Sequence, residues 1–513
     1  MIEGFALAHP LEMQLNKTRS EFTRADLIHV IKQNQLERIT FHYTDLNGRL
    51  HELKLPVCDE ARADRVLANG ERLDGSSIFK GVIDPGLSDL YIVPLFSSAF
   101  LNPFEPGSLD VMCRFFTREG SPAAFTPDIL LQQSADAFHR DTGLDLLAMG
   151  ELEFYLFRRA ENELYPNEVQ AGYHASPPFS KASPILNEML SVITRILGSV
   201  KYAHGEVGFI PSAMSEDPQI HGKQGEQMEI EFLPTPIHQT GDILVLAKWI
   251  IRNIAFQHGM LAVFAPKLEE GMAGNGLHIH MELQRDGRNI MRTSDGELSR
   301  ETLQLIGGVA TYAPSLTAFG NTMASSYLRL VPHQEAPTRI CWSASNRSAL
   351  IRVPLGWTKT NDLASALNAQ QDQPYTVDDS VQTIELRSPD GSAIPHLLLA
   401  GIATAARWSM RHHDEATAVA ESQHVTGNIF TDPTLLKSLP SLPSSCAASA
   451  SRLVADRHLY EQEGIFPERL IDRLAALLRE EKDHDLAEKL AGLSDEERAR
   501  RSRQIMHAGL NRR

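Results

Sequence analysis

Apolar and polar residues recur at regular spacing along most of the chain, and the spacing predicts the first elements. Apolar positions in residues 23–36 follow the period of a helix, and Arg38–Thr44 has the composition of a strand. The Asn47-Gly48 dipeptide then marks a turn. Residues 23–115 therefore predict a small α+β unit.

A stretch rich in Gly, Pro and Ser, residues 119–127, is the best candidate for a linker between two domains. We place a first domain at residues 23–120 and a larger second domain at residues 121–513. Beyond the linker, periodicity predicts a helix at 128–142 and a strand at 146–157, and so a mixed α+β architecture. Two domains also suit a chain of 513 residues, because single hydrophobic cores stop growing well below that length.

The most apolar stretches are too short to cross a bilayer. Residues 243–251 and 397–406 predict buried helices, and residues 1–10 lack the basic start and apolar core of a secretion signal. No membrane association is expected. Residues 467–513 predict charged helices with the basic run Arg498-Ala-Arg-Arg-Ser-Arg, which is typical of a solvated or subunit-contacting helix, with anion binding as the alternative.

Four strand-like segments carry charged or imidazole side chains on one face and large apolar ones on the other. Residues two apart in a strand share a face, because successive side chains point to opposite faces. The pairs are Glu151 and Glu153, Glu229 and Glu231, His278 and His280, and Glu385 and Arg387. Half-exposed antiparallel strands with one face in water would explain any single pair.

Taken together, the four pairs also fit a cation site. Like-charged carboxylates on one face repel each other, and a cation would compensate their charge. Oxygen-rich ligands with one imidazole suit Mg²⁺ or Mn²⁺ better than zinc. Arginines in Leu328-Arg-Leu and in Asn346-Arg-Ser-Ala-Leu-Ile-Arg could bind carboxylate or phosphate through paired hydrogen bonds. Metal combined with arginine is typical of phosphoryl transfer.

Composition narrows the class of partners. The net charge of -16 opposes binding to nucleic acid, and no basic stripe with interleaved aromatic residues offsets it. The four cysteines fit no CxxC spacing, which argues against a zinc site or a disulfide framework and favours a reducing cytoplasm. The sequence has no GxxxxGK[ST] or GxGxxG phosphate loop, so ATP binding does not follow from such a motif.

Eight collinear segments resemble the glutamine synthetase family along nearly the whole chain. They are Asp74-Gly-Ser-Ser, Glu151-Leu-Glu-Phe, Gly205-Glu-Val, Glu229-Ile, Gly274-Asn-Gly-Leu-His-Ile-His, Arg329-Leu-Val-Pro-His-Gln-Glu-Ala-Pro, Asn346-Arg-Ser-Ala-Leu-Ile-Arg-Val-Pro and Ile384-Glu-Leu-Arg-Ser-Pro-Asp. Each is a weak signal alone, but their common order argues against chance. The resemblance implies an α+β fold, with a β-grasp-like N-terminal domain and a catalytic domain whose curved antiparallel sheet is flanked by helices.

The resemblance also implies an ATP-dependent ligase that joins glutamate to ammonia through a γ-glutamyl phosphate. Its cofactor would be Mg²⁺ or Mn²⁺, two or three ions per site, with ATP as co-substrate. Its partners would be small molecules, namely glutamate, ATP and ammonia or an amine. Active sites of this family form between neighbouring subunits, so the resemblance implies a homo-oligomer, a dodecamer of two hexameric rings.

Matches to the family's motifs imply roles for single residues. The metal on the amino-acid side would be held by Glu153, Glu206 and Glu229. The metal on the ATP phosphates would be held by Glu151, His278 and Glu385. Glutamate would contact Gly274 and Arg329, the transferred phosphoryl group would face Arg347 and Arg387, and the nucleotide would lie beside His280 and Arg352. The ammonium pocket would comprise Asp74, Ser77, Tyr173 and Glu206, and Glu335 would close the site and help to deprotonate ammonium.

Departures from the family pattern concern the acceptor side. Residues 207–228 separate Glu206 from Glu229 by about fifteen residues more than usual, and they could reshape the amine pocket or form a surface loop without effect. Ala273 and Glu282 stand where the family usually has Asn and Ser, and His333-Gln-Glu replaces Gly-Tyr-Glu. No Tyr lies in an Asn-Leu-Tyr context, so regulation by adenylylation is not expected.

Three functions remain open at this point. The first is glutamine formation from ammonia, and the second is the same chemistry on a larger amine such as a polyamine, ethanolamine or another alkylamine. Asp74 and Glu206 would stabilise either cation. The third, a catalytically silent relative, predicts decay of the metal ligands, because a cluster of buried carboxylates without its cation is destabilising. All six ligand positions are retained.

Overall fold

The computed structural model describes residues 4–84, 86, 88–160, 164–331, 336–356, 362–373, 375, 381–427, 429 and 432–512. Within these ranges the helices are α1 Pro10–Leu15, α2 Arg24–Gln33, α3 Glu60–Asn69, α4 Gly75–Ile78, α5 Pro127–Thr142, α6 Ser183–Leu197, α7 Ile237–Gln257, α8 Arg300–Gly320, α9 Ser326–Arg329, α10 Pro395–Arg411, α11 His413–Ser422, α12 Pro433–Ser438, α13 Cys446–Ala455, α14 Arg457–Tyr460, α15 Glu468–Arg479, α16 Leu486–Ala491 and α17 Asp495–His507. The strands are β1 Arg38–Thr44, β2 Leu50–Pro56, β3 Glu71–Asp74, β4 Asp89–Pro94, β5 Phe100–Leu101, β6 Ser108–Phe116, β7 Asp145–Arg158, β8 Val200–Ile210, β9 Gln224–Phe232, β10 Thr235–Pro236, β11 Leu261–Val263, β12 Leu277–Arg285, β13 Arg288–Asn289, β14 Trp342–Ala344, β15 Ile351–Val353 and β16 Ile384–Leu386.

The N-terminal part of the chain forms a mixed sheet in the order β2-β1-β6-β4-β3, with β5 paired to β6. Strands β1 and β6 run parallel, and the other pairs run antiparallel. The predicted turn closes the β1–β2 hairpin, since Gly48 N donates to Asp45 O at 3.0 Å with a φ of +74° at Gly48. That positive φ suits glycine, which lacks the Cβ that penalises it. This sheet is the β-grasp-like fold that the resemblance implied.

Local signals set the helix boundaries. Thr23 Oγ1 accepts a hydrogen bond from Asp26 N at 3.3 Å, and Asp26 Oδ2 accepts one from Thr23 N at 2.8 Å, a reciprocal cap that starts α2. Helix α5 begins with Pro127 and ends before Gly143, whose φ is +65°. The predicted helix at 128–142 and strand at 146–157 are confirmed to within one residue, whereas α2 ends three residues before residue 36.

A second, curved sheet carries the polar pairs. Its order is β14-β15-β16-β12-β7-β9-β8, with β10 and β11 paired to β7 and β13 paired to β12. Only β14 and β15 run parallel in the described part of this sheet. The register sets His278 opposite Glu151, and Glu153 opposite Glu229. The four segments singled out by alternation are therefore neighbours in one sheet.

The apolar face of this sheet is covered by helices. Leu152, Phe154, Ile230 and Ile279 are buried in one core together with residues of α5, α7, α8 and α10. The apolar stretches at 243–251 and 397–406 lie inside α7 and α10, so the prediction of buried helices is confirmed. In the described ranges, no helix is both long and apolar enough to span a membrane.

A buried ion pair joins the first sheet to the rest of the molecule. Arg114 of β6 places Nη2 2.6 Å from Asp242 Oδ2 of α7, and His396 Nε2 of α10 lies 2.9 Å from Asp242 Oδ1. Burial would raise the pKa of Asp242, but Arg114 and His396 outweigh it and hold that pKa far below its usual range. The contact fixes the N-terminal sheet against α7 and α10.

Candidate active site

A cavity of about 670 Å³ opens on the polar face of the second sheet. Twelve of the residues singled out from the sequence line it, and they come from strands, loops and the short helix α9, far apart in the chain. They are Glu151, Glu153, Tyr173, Glu206, Glu229, Gly274, His278, Arg329, Arg347, Arg352, Glu385 and Arg387. The structure thus gathers in one place most of what the motif matches proposed.

The first candidate metal group lies where β7, β12 and β16 run side by side. Glu151, His278 and Glu385 each offer one ligand atom, and these atoms all lie within 4.8 Å of one another. His278 Nδ1 is 2.7 Å from Glu151 Oε2 and 3.5 Å from Glu385 Oε1. This is the set that the motif matches assign to the phosphate-side metal.

A second candidate group lies one strand further along the sheet. Glu206 and Glu229 converge there with His204, again with ligand atoms within 4.8 Å of one another. Glu153, which the motif matches assign to this metal, lies opposite Glu229 in the register and accepts a hydrogen bond from Gly276 N at 2.8 Å. A third group joins Glu229 to Glu151 and Glu231.

The charges of these carboxylates show that the site suits a cation. Burial raises the pKa of Glu229 well above its usual range, and the neighbouring carboxylates Glu151, Glu153, Glu206 and Glu231 raise it further. A proton on Glu229 relieves that repulsion, and a divalent cation would relieve it more strongly. Oxygen donors with imidazole are ligands that Mg²⁺ and Mn²⁺ accept.

The other half of the cluster is compensated by neighbouring imidazole and guanidinium groups. Burial would raise the pKa of Glu151, but His280 and His278 outweigh it and hold that pKa well below its usual range. Burial and Glu151 would likewise raise the pKa of Glu385, yet His280, His278 and Arg387 lower it overall. Both carboxylates are therefore ionised and able to act as ligands.

Arginines flank the carboxylates. Arg387 Nε donates to Glu385 Oε1 at 2.9 Å, and Arg352 Nη1 donates to Glu385 Oε2 at 2.9 Å. Arg387 also donates to the carbonyl oxygen of Arg347. Burial lowers the pKa of Arg347, but Tyr173, Glu206 and Glu385 outweigh it and raise that pKa overall. Their planar guanidinium groups suit anionic oxygens of a phosphoryl group.

A segment that we call the substrate loop, residues 266–276, forms one wall of the cavity. Asn275 N donates to Pro266 O at 3.0 Å, and Gln227 Nε2 donates to Gly274 O at 3.0 Å. A Cβ at Gly274 would lie 2.4 Å from Pro266 O, and one at Gly276 would lie 2.7 Å from His278 Nε2. Only glycine lets the backbone pass this close to the candidate ligands.

Arg329 is held beside the substrate loop. Its Nη1 donates to Ser388 O at 2.9 Å, and its Nη2 lies 3.5 Å from His278 Nε2. The side chain is almost fully buried yet lines the cavity, which places a fixed positive charge at its wall. Such a charge suits a substrate carboxylate.

Three predicted site residues do not line this cavity, and a fourth cannot be placed. Asp74 and Ser77 lie at the end of β3 and in α4, where Ser77 Oγ donates to Asp74 Oδ2 at 2.8 Å. His280 lies behind Glu151, with its Nε2 2.9 Å from Glu151 Oε1, and is buried. Glu335 lies outside the described residues.

Sequence reasoning missed several residues that line the same cavity. Tyr202 and His204 precede Glu206 at two-residue steps on β8, and Lys267 and Gln170 come from loops. The run Tyr202-Ala-His-Gly-Glu shows the alternation that identified the other strands, so that signal was present for β8. Burial lowers the pKa of His204, which favours the neutral imidazole, the form that can bind a metal ion.

The insertion at residues 207–228 extends a hairpin away from the candidate metal groups. Strands β8 and β9 continue their pairing to Phe209 opposite Glu226 and Ile210 opposite Gly225, and Gly225 lies opposite Phe157 near the far end of β7. Val207 still lines the cavity, whereas residues 211–223 at the hairpin tip do not. The hairpin tip therefore does not line the pocket, yet Ala213 and Ile220 of the tip are buried in one cluster with Leu268, so the tip is not a free surface loop either.

Comparisons with known proteins agree with this geometry. Residues 35–118 match the family model "Glutamine synthetase, beta-Grasp domain", and residues 126–489 match "Glutamine synthetase, catalytic domain". The glutamine synthetase of Pyrococcus horikoshii is 31% identical over 402 residues, which cover 77% of this chain and 80% of the relative.

Solved structures share the fold. The cryo-EM structure of Plasmodium falciparum glutamine synthetase superposes with a TM-score of 0.71 at 20% identity, covering 93% of this chain and 98% of that one. The structure of GmaS without ligand gives 0.69 at 20% identity, covering 92% and 98%. The chain belongs to the glutamine synthetase family, whose members are ATP-dependent ligases that use a divalent metal.

Proposed function

We propose that this enzyme joins ammonia to the side-chain carboxylate of glutamate through a γ-glutamyl phosphate. The observation that carries the proposal is the placement of two candidate metal groups on adjacent strands beneath a set of arginines. A carboxylate is a poor acceptor, because its charge repels nucleophiles and its oxygen leaves badly. Transfer of the ATP γ-phosphoryl group removes both obstacles, and the amine then displaces phosphate.

The residues that would hold the ions are Glu151, His278 and Glu385 on the phosphate side, and Glu153, Glu206 and Glu229 on the amino-acid side. Mg²⁺ or Mn²⁺ bound there would supply positive charge for the transferring phosphoryl group. Arg347 and Arg387 would stabilise the same charge, and Arg352 would contact the nucleotide. His280 would act on the phosphate side by keeping Glu151 ionised.

Glutamate would lie along the substrate loop. Its α-carboxylate would bind Arg329, whose position is fixed by the carbonyl oxygen of Ser388, and its backbone atoms would pass close to Gly274. This arrangement would point the side-chain carboxylate toward the candidate metal groups. Binding in a fixed orientation lowers the entropic cost of the reaction.

The acceptor pocket would be completed by a second copy of this chain. Asp74 is exposed and outside its own cavity, and hydrogen bonds from Ser76 and Ser77 lower its pKa to about 2, so it is a ready anion for an ammonium ion. Asp74 and Ser77 of the neighbour would face Tyr173 and Glu206, with Glu335 closing the site. The proposal therefore includes a homo-oligomer, a dodecamer of two hexameric rings.

Mixing two inactive variants tests whether sites are shared. Asp74→Ala and Glu153→Ala homo-oligomers should each lack activity, because each substitution would remove a different part of the site. After dissociation and co-assembly, some interfaces would combine an intact Asp74 with an intact Glu153, and turnover should return. Mixed oligomers that stay inactive would contradict a shared site.

A larger amine is the second candidate acceptor, and the rings beside Glu206 favour it. The His174 ring centroid lies 4.2 Å from that of Tyr173 and 4.2 Å from that of His204. Aromatic faces next to carboxylates suit an alkylammonium ion, whose carbon chain packs on rings while its charge meets the acids.

Phosphate release measured with ATP, Mg²⁺ or Mn²⁺ and glutamate separates the candidates. The panel contains ammonium, ethanolamine, putrescine and simple alkylamines, with a control lacking glutamate. We expect ammonium to give the highest kcat/KM. A larger amine well ahead of ammonium would favour the second candidate, and no turnover in folded, metal-loaded protein would overturn both.

We also propose the domain division at residues 23–120 and 121–513, and a cytoplasmic location. The first family model ends at residue 118 and the second begins at residue 126, which supports a boundary near 120. All four cysteines are free thiols, which suits a reducing compartment. Limited proteolysis tests the division, with first cleavage expected between residues 117 and 126.

A further inference from the structure

Two features of the chain have no part in the proposed chemistry, and they contact each other. One is the hairpin tip of the insertion, residues 211–223. The other is the tail segment, residues 495–512, which comprises α17 and the turn after it and lies beyond the family match at residues 126–489. Both pack against the outer side of the substrate loop.

The tail segment holds the substrate loop by polar contacts. Arg503 Nε donates to Glu269 Oε2 at 2.7 Å and to Oε1 at 3.0 Å. Ser502 Oγ donates to Glu270 Oε1 at 2.6 Å, and His507 Nε2 lies 2.8 Å from Leu268 O. Three successive residues of the loop are thus bound by one face of α17.

The same segment is anchored by an apolar cluster. Leu510 is buried together with Leu268 of the loop, Ile210 and Ile220 of the extended hairpin, and Tyr155 of β7. The Tyr155 hydroxyl in turn donates to Ala273 O at 2.9 Å. The cluster therefore ties the tail to the part of the loop that lines the cavity.

Helix α17 has few other attachments to the chain. Cavities of about 690 Å³ and 400 Å³ flank it on two sides, and Ser502 and Met506 are its fully buried residues. A helix bordered by empty space contributes little packing energy along those sides. The helix itself is thus held mainly by the contacts to Leu268, Glu269, Glu270 and the hairpin, while the turn after it is also bonded by Arg49, whose Nε donates to Arg512 O at 2.9 Å, and by the Arg512–Glu481 ion pair.

We propose that the tail segment is a positioning element for glutamate binding. Arg503 acts through Glu269, and Leu510 through Leu268, to keep the substrate loop in the conformation that places Gly274 beside Arg329. The inference rests on the proposed function, because it takes glutamate to be the ligand of that loop. If only a fraction of the molecules hold the loop in the binding-competent conformation, the apparent affinity for the ligand is reduced by that fraction.

Charge reversal at the ion pair provides the test. Arg503→Glu and Glu269→Arg each set like charges against each other, and the double variant restores an attractive pair. Each single variant should raise the KM for glutamate about tenfold, while the KM for ATP and the melting temperature stay close to wild type. The double variant should recover most of the wild-type KM. Arg501→Ala is the matched control, since Arg501 lies on the same helix and bonds Gln504, and it should change neither KM.

Hydrogen exchange gives a readout that needs no substrate. Backbone amides of residues 268–276 should exchange faster in each single variant and return to the wild-type rate in the double variant. Unchanged exchange and unchanged KM in both single variants would overturn the proposal, as would an equal rise in both KM values with a lower melting temperature. Wild-type protein that shows no glutamate-dependent turnover would overturn the proposed function alone, because the exchange rates still test the contact between tail and loop.

Discussion

The two ends of the active-site cavity are built in different ways. At the metal end, the candidate ligands lie on strands of one sheet, and the register alone sets His278 opposite Glu151 and Glu153 opposite Glu229. At the acceptor end, Tyr173 lies on a loop, and Asp74 lies on the other sheet, outside the cavity. Strand pairing within one chain thus fixes the metal end, whereas the acceptor end depends on loops and, in our proposal, on a second chain.

The comparison also concerns charge. At the metal end, burial and then the repulsion between neighbouring carboxylates raise the pKa of Glu229, whereas at the acceptor end Tyr173 helps to raise the pKa of Arg347. Changes at the metal end should therefore abolish the reaction, and changes at the acceptor end should alter which amine reacts and how tightly it binds.

The largest effect is expected from removing a metal ligand. Glu153→Ala and His278→Ala should each lower kcat/KM at least about a thousandfold, because transition-state charge would lose its compensation. Phosphate release measures this. Glu282→Gln is the control: Glu282 is buried on β12 two residues beyond His280 but does not line the cavity, so it should retain activity. Comparable activity in His278→Ala and wild type would refute the metal assignment.

Removing the buried ion pair between Arg114 and Asp242 should lower the free energy of unfolding. Arg114→Met leaves Asp242 buried with His396 as its remaining partner and should lower the free energy of unfolding by about 3 kcal/mol. Denaturant titration measures the change. Arg72→Met is the matched control, because the Arg72–Asp89 pair on the same sheet is 68% and 61% exposed and should contribute less than about 1 kcal/mol. Equal losses in both variants would contradict a special role for the buried pair.

The raised pKa of Glu229 predicts that metal affinity depends on pH. In the metal-free protein Glu229 keeps a proton above the ordinary glutamate pKa of about 4.3, and a bound cation must displace it. Mn²⁺ affinity should therefore rise with pH, by up to about tenfold per pH unit below the pKa of Glu229. At a pH below the pKa of Glu229, isothermal titration calorimetry in buffers of different ionisation enthalpy should show proton release on binding. In Glu229→Gln that proton release should disappear.

The raised pKa of Glu229 also predicts whether the stability of the metal-free protein rises or falls with pH. A raised carboxyl pKa means that the folded state binds more protons than the unfolded chain, so the metal-free protein loses this contribution to stability as pH rises from about 4.3 through the pKa of Glu229. Thermal melts of metal-free wild type should show that loss, and melts of Glu229→Gln should show less of it. A wild-type melting temperature that rises across this window relative to Glu229→Gln would contradict the assignment.

The smallest effect is expected at the acceptor end. Tyr173→Phe removes the hydroxyl that helps to raise the pKa of Arg347 but keeps the ring that stacks on His174. Losing one hydrogen-bonding group from a half-exposed side chain costs about 1 kcal/mol, so the KM for the amine should rise about fivefold while metal affinity stays unchanged. Steady-state kinetics with ammonium measure this. A large fall in kcat with unchanged KM would place Tyr173 in the phosphoryl-transfer step instead.

Alternation along strands singled out most of the residues that line the candidate metal end. Glu151, Glu153, Glu229, His278 and Glu385 were identified because each sits on the polar face of a segment whose other face is apolar. Period two is a local property, so it predicts which residues share a face, but it does not predict which strands are neighbours. The structure supplied the order β16-β12-β7-β9-β8.

The tail and the insertion show what local patterns miss. The run from Arg498 was interpreted as solvated or subunit-contacting, yet Arg503 bonds Glu269 more than two hundred residues away. Nothing in the sequence near Arg503 specifies that partner. The hairpin of the insertion was likewise expected beside the amine pocket or on the surface, and its packing against Leu510 depends on a contact between distant segments.

Counting the manganese ions bound per chain tests the central claim most directly, namely that neighbouring strands hold separate metal sites. Mn²⁺ titration followed by electron paramagnetic resonance should find at least two ions per wild-type chain. We expect Glu385→Ala to lose the phosphate-side ion and Glu206→Ala to lose the amino-acid-side ion, with a further ion lost only in the double variant. A single ion per wild-type chain, or both ions lost together in either single variant, would contradict the account.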